Sequence, residues 1–218
     1  MAPKLLCFGK KKMPYKLYYF DGRGTGEAIR QVFKLANEPF EDIRFSMEEW
    51  PKHKEAMPFG QVPVLEVDGE MIPQSAAIGR FVARKFGLGG KTPAEEAWVD
   101  AIVDLFKDHY NEVKDWYYTA LGFMNKGDKN ELYKSVYEPA RDKFYTFLQQ
   151  RLKKNGTGFL VGKSATWADL LIADHMLTVI QLKPDALSTF PEMLAFKRRI
   201  EELPQIKKWI ETRPKTPF

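Results

Sequence analysis

The chain has 218 residues, 44% of them hydrophobic and 14% aromatic, enough to bury one large core or two small ones and too apolar for a disordered chain. A single cysteine, Cys7, excludes an intramolecular disulfide framework and a cysteine-built zinc site and fits a reducing compartment; three scattered histidines show no metal-ligand spacing. The net charge of +5 comes from 34 basic and 29 acidic residues interleaved along the chain, a solvated mixed surface rather than a nucleic-acid footprint, and no apolar run approaches the roughly 18 residues of a membrane span.

Residues 1–13 hold the apolar patch Leu5-Leu6-Cys7-Phe8, too short for a signal-peptide core, and the basic run Lys10-Lys11-Lys12; they read as a poorly ordered extension. Lys16–Phe20 is predicted as a strand ended by the turn chemistry of Asp21-Gly22. Gly26–Asn37 carries Ala28, Ile29, Val32, Phe33, Leu35 and Ala36 at helical spacing, and a second strand falls near Asp42–Ser46, which completes a βαβ unit. Val62–Val67, Asp68-Gly69 and Met71-Ile72 read as a hairpin, and Ser75 caps a predicted helix reaching Lys85. Gly87–Lys91 is a linker by composition. Thr92-Pro93-Ala94-Glu95 then supplies an N-cap, a first-turn proline and a glutamate at the third helical position. Beyond it the periodicity is helical only, with a second capping box at Thr166–Asp169 opening a run that is apolar on nearly every side, as in the middle of a bundle. The expected architecture is a small α/β domain, 14–88, followed by an all-helical bundle domain, 93–218.

Several positions carry candidate chemistry, each with a plainer alternative. Pro63 in an otherwise good strand marks either an edge whose backbone is open to a peptide-like ligand or an ordinary strand start. Gln74-Ser75 at a helix N-terminus offers a carboxylate site or a simple cap. Trp50 and Lys54 could together hold a second carboxylate, or Lys54 could form a surface ion pair. Tyr18 and Tyr19 point to opposite faces of one strand, so one can pack while the other presents its hydroxyl to a cleft. With a reference pKa of about 10 a phenol is a poor base at neutral pH, but it donates well to an anion. A thiol of pKa about 8.5 is only slightly ionised there, and one hydrogen bond favouring the thiolate by about two units supplies roughly 2.7 kcal/mol.

In this order and spacing the motifs Tyr15–Glu27, Glu49–Lys54, Pro58–Gly69, Pro73–Ser75, Val99–Asp104 and Ser164–Asp169 resemble the cytosolic glutathione transferases, most of all the sigma class and its nematode members. The resemblance implies a thioredoxin-like first domain and a cytoplasmic, detoxifying homodimer that conjugates glutathione to small hydrophobic electrophiles, with peroxidase activity as an extension. It implies no cofactor beyond glutathione as co-substrate; no metal, nucleic-acid or membrane partner is expected, on the histidine and cysteine spacing, the interleaved charge and the lack of a long apolar run. By position, Tyr19 matches the thiolate-stabilising tyrosine and Tyr18 its core-facing neighbour. Trp50 and Lys54 match the glycine-carboxylate pair, Gln61, Val62 and a cis Pro63 the residues beside the cysteinyl backbone, and Gln74 and Ser75 the γ-glutamyl site. Asp108 matches the acid that reaches the partner's glutathione, and Phe20, Thr25, Tyr110 and Trp116 are expected in the electrophile pocket. Two departures stand out: Thr25 replaces an arginine common in the class, and Lys107 replaces an acid of a metal-activation cluster, which argues against prostaglandin D synthesis. The segment Tyr117–Asp128 also looks longer than in vertebrate relatives. The alternatives are a non-catalytic carrier of haem or other flat hydrophobic ligands, and a structural protein like the lens crystallins of this class.

Overall fold

In the computed structural model the described residues are 14–216 and Phe218; the expected extension 1–13, with Cys7, lies outside them. Strand β1 (Tyr15–Phe20) alternates as its sequence demands: Tyr15 and Leu17 are buried, while Lys16 and Tyr18 share Glu66 through bonds of 2.8 and 2.7 Å on the opposite face. A single helical turn at Gly24–Gly26 leads into α1 (Glu27–Leu35), which crosses over to β2 (Glu41–Phe45), parallel to β1. A short helix, α2 (Trp50–His53), precedes β3 (Val64–Val67) and β4 (Glu70–Pro73), and the sheet order is β2-β1-β3-β4 with β3 antiparallel to both its neighbours. Asp68 and Gly69 turn the hairpin with φ of 51° and 92°, the left-handed backbone that short hairpins favour. The Val62–Pro63 bond is cis.

Helix α3 (Ser75–Lys85) corrects one expectation: Ser75 opens the helix instead of capping it, and Gln74 takes the cap position with φ of 73° and no side-chain cap bond. At α4 (Pro93–Ala120) the Thr92 hydroxyl accepts from Glu95 N at 3.2 Å, while the Glu95 carboxylate accepts from Lys91 N at 2.7 Å rather than closing back onto Thr92. The short α5 (Lys129–Leu132) runs through a wide turn at Tyr133–Tyr137 into α6 (Glu138–Asn155), followed by α7 (Trp167–Leu182), α8 (Pro191–Glu201) and α9 (Pro204–Thr212).

Helix α7 is buried on almost every side, and α1 packs against both α7 and α9, so the β-sheet half and the helical half share one continuous core. Gly79 admits the Trp167 ring so closely that a Cβ there would stand 2.3 Å from it, and Trp167 N donates to Leu88 O at 3.0 Å. The other sheet face carries a smaller cluster of Phe45, Met57 and Val64, joined by Tyr18, Phe20 and Trp50. Tyr18 therefore packs in this lesser cluster and not in the main core, as the residue on the opposite side of the pleat from Leu17 must.

Candidate functional site

The end of β1 delivers Tyr19 to the seam between the two halves. Its hydroxyl oxygen accepts from Thr25 N at 3.0 Å and lies 3.2 Å from Thr25 Oγ1, with the Arg30 guanidinium 5.6 Å from the ring centre. Burial, first of all, raises the phenol above its usual 10.0, and the two Thr25 bonds pull it back. The group therefore keeps its proton at neutral pH and can donate a hydrogen bond. Gly24 and Gly26 make room for it: a Cβ on Gly24 would stand 2.4 Å from the hydroxyl, and Gly24 also carries φ of 38°.

Thr25 borders two narrow crevices between the halves. One is shared with Phe106, Tyr110, Tyr117 and His175, the other with Ser75, Phe106 and Lys107. The crevices bring Tyr110 and Ser75 to the neighbourhood of the Tyr19–Thr25 pair, two of the residues expected there. Tyr110 donates to the Tyr118 hydroxyl at 3.2 Å, and the aromatic line continues from Tyr118 to Phe123 at 6.3 Å and from Phe123 to Phe218 at 4.9 Å. On the other flank, Phe20 meets Trp50 edge-on at 5.3 Å. Lys54 is exposed, and its stem passes 3.5 Å from where a Cβ of Gly60 would stand. Gln61 and Gln74 are exposed, Val62 and Ser75 half-buried and Pro63 buried. Asp108 is exposed on α4, and Asp104 is held by Arg80 at 2.5 Å.

Trp116 does not line the cleft. It is 1% exposed, packed 4.1 Å from Tyr137 and 5.6 Å from Tyr133, because its place on α4 turns it into the bundle instead of toward the sheet. Sequence reasoning also left out the two glycines that seat Tyr19 and the contact of Phe218 with Phe123. A Gly-x-Gly directly after an aromatic strand signals the first; a single distant phenylalanine offers no signal for the second.

A thioredoxin-like sheet bearing a shielded phenol at its junction with a helical bundle defines a two-domain architecture, an α/β half followed by an all-helical half. The family model of the glutathione S-transferase N-terminal domain matches residues 15–84, and that of the C-terminal domain matches residues 111–213. The probable glutathione S-transferase 5 of Caenorhabditis elegans is 52% identical over 206 residues, 94% of this chain and 99% of the relative. Among solved structures, the monomeric Na-GST-3 of the hookworm Necator americanus is 51% identical with a TM-score of 0.90, over 94% of this chain and 99% of that one. A Nu-class enzyme from Haemonchus contortus is 53% identical with a TM-score of 0.86, over 94% and 98%. The chain belongs to the glutathione S-transferase family and is a transferase.

Proposed function

We propose that this glutathione S-transferase activates its co-substrate through Tyr19, whose phenol donates a hydrogen bond to the glutathione sulfur and favours the thiolate. The observation that carries the reading is the bond from Thr25 N into the Tyr19 oxygen. It occupies a lone pair, polarises the O–H, and leaves the phenol proton for an anion at a site partly screened from water. The thiolate then attacks a small hydrophobic electrophile seated against Tyr110, Tyr118 and Phe123. No cofactor takes part, since a hydrogen bond does the activating and no covalent enzyme intermediate forms. Reduction of hydroperoxides by the same thiolate is an extension of this chemistry.

Trp50 and Lys54 hold the glycine carboxylate. Gln61, Val62 and Pro63 border the cysteinyl backbone, and Gln74 and Ser75 meet the γ-glutamyl carboxylate at the α3 N-terminus, where free N–H groups favour an anion. Asp108 serves the glutathione of a second subunit. Support for a homodimer comes from Phe59, 75% exposed, and from an apolar groove of about 430 Å³ between α4 and α6 bordered by the half-exposed Trp98 and Phe147. The sigma-class assignment rests on the ordered motif set from Tyr15–Glu27 to Ser164–Asp169, and cytoplasmic detoxification follows from the same reading. No helix among the described residues is long and apolar enough to cross a membrane.

The test is conjugation of glutathione to an aryl halide across roughly pH 5.5 to 9, wild type beside Tyr19→Phe. The expected result is a loss of about a hundredfold near neutral pH that narrows as the pH rises. Equal rates for the two proteins at neutral pH would remove Tyr19 from the mechanism.

A further inference from the structure

The loop that positions Tyr19 is gripped from the far end of the chain. Arg23 N donates to the Phe218 main-chain oxygen at 2.6 Å, Thr216 Oγ1 donates to the same oxygen at 2.9 Å, and the Phe218 ring lies 3.2 Å from where a Gly22 Cβ would stand. Below this contact sits a buried ionic cluster. Arg213 Nη1 reaches Glu27 Oε1 at 2.6 Å and Asp174 Oδ1 at 3.4 Å, and Arg23 Nη1 reaches the same Asp174 oxygen at 3.2 Å. Trp209 Nε1 donates to Glu27 Oε1 at 2.7 Å, and Arg30 Nη1 donates to Gly22 O at 2.6 Å. Glu27 is fully buried, and Arg23, Arg213 and Asp174 nearly so.

These contacts bracket the segment Gly22–Glu27, and the segment's free middle is Thr25, the donor to Tyr19. Within the loop the backbone bonds are Gly22 N to Phe20 O at 2.8 Å and Glu27 N to Arg23 O at 2.9 Å, while Gly22, Gly24 and Gly26 contribute no side chains and the single turn at Gly24–Gly26 has no side-chain cap. A glycine-rich loop of this kind has a wide choice of backbone conformations, and contacts from outside narrow it. A buried main-chain bond is well suited to that, since its rupture leaves Arg23 N without a partner.

We infer that Arg213 and Phe218 are positioning residues for the conjugation chemistry: they hold the Gly22–Glu27 loop so that Thr25 N stays aimed at the Tyr19 oxygen. The inference rests on the thiolate reading given above. Phe218 has a second contact, since its ring meets Phe123 on the electrophile side as well as Gly22, while its main-chain oxygen serves Arg23 N.

The test uses the full chain, a chain ending at Thr216, Phe218→Ala and Arg213→Lys, each assayed for kcat and both KM values across the pH range. Shortening the chain is expected to move the rising limb of the pH–rate profile upward by roughly one unit, with the rate at neutral pH falling about tenfold and the glutathione KM little changed. Phe218→Ala keeps the main-chain oxygen but removes the ring that packs on Gly22 and Phe123, so its profile shifts by less than that of the shortened chain while the electrophile KM rises. Arg213→Lys keeps the charge but loses the guanidinium fork, so its profile shifts in the same direction by less. Melting temperatures alone do not decide the matter. A shortened chain and an Arg213→Lys protein that melt earlier yet keep the wild-type profile would show the tail to be merely structural and overturn the inference. A Tyr19→Phe profile matching wild type would remove the thiolate reading itself, and this inference with it.

Discussion

Gly26 passes so close beneath Tyr19 that a Cβ on it would stand 2.6 Å from Tyr19 Cδ1 and 2.7 Å from Cγ. The backbone of Gly26 is ordinary, with φ of −82°, so alanine is tolerated there conformationally and the conflict is with the ring alone. Gly26→Ala is therefore expected to push Tyr19 off its Thr25 partner and cost at least tenfold in kcat, about 1.4 kcal/mol, while the far-ultraviolet spectrum stays native. Unchanged kcat would mean that the ring position is not critical.

Asp169 closes the N-terminus of α7 by accepting from Leu160 N at 2.8 Å and from Thr166 N and Oγ1 at 2.7 Å each. Burial pushes its carboxyl up to about 6 against these three donors. Asp169→Ala strands two buried N–H groups and is expected to cost about 3 kcal/mol, a fall in Tm of roughly 6–12 °C for a chain of this size. Asp169→Asn retains an acceptor and loses less. Calorimetry of the two variants checks the order.

His109 stacks on Phe144 with ring centres 4.2 Å apart, and His175 meets it edge-on at 5.6 Å. Neither His109 nitrogen makes a well-formed hydrogen bond, although the backbone of Ala140 lies near enough to favour the charged ring slightly. Burial lowers His109 from 6.5 to about 4 and carries His175 down as well. Between these pH values the unfolded chain takes up a proton that the folded ring refuses, so stability falls as the pH drops through the window, by up to about 3 kcal/mol for His109 alone. His109→Phe preserves the stack and is expected to flatten the decline in Tm from about pH 7 to 4.5; an equally steep decline would assign the acid sensitivity elsewhere.

Phe59 stands out from the surface at φ of 59°, an unusual backbone for a large residue. If the apolar groove beside Trp98 receives the same residue of a second copy, Phe59→Ser shifts the protein from dimer to monomer in light scattering. A wild-type protein that is already monomeric at micromolar concentration would end the dimer proposal and the role given to Asp108.

Much of this molecule could be read in one dimension. The strand and helix order, the Thr92 and Thr166 helix starts and the Asp68-Gly69 hairpin follow from local chemistry, because periodicity, caps and turn residues act over a few positions. The choice between Tyr18 and Tyr19 needed more. Alternation separates the two, but which face meets the helical bundle depends on where α1 and α7 pack. Trp116 illustrates the same limit: an aromatic on a long helix is a pocket residue or a core residue according to the helix's rotation, and rotation is set by distant contacts.

The sequence by itself determined the two-part architecture and the family, the first through the periodicity within each segment and the second through the order and spacing of motifs along the chain. Only the tertiary structure decided what surrounds Tyr19. The pairing with Thr25 and the closeness of Gly26 are local, but the grip of Arg213 and Phe218 on the loop joins opposite ends of the chain, and such contacts form only when packing has brought their elements together.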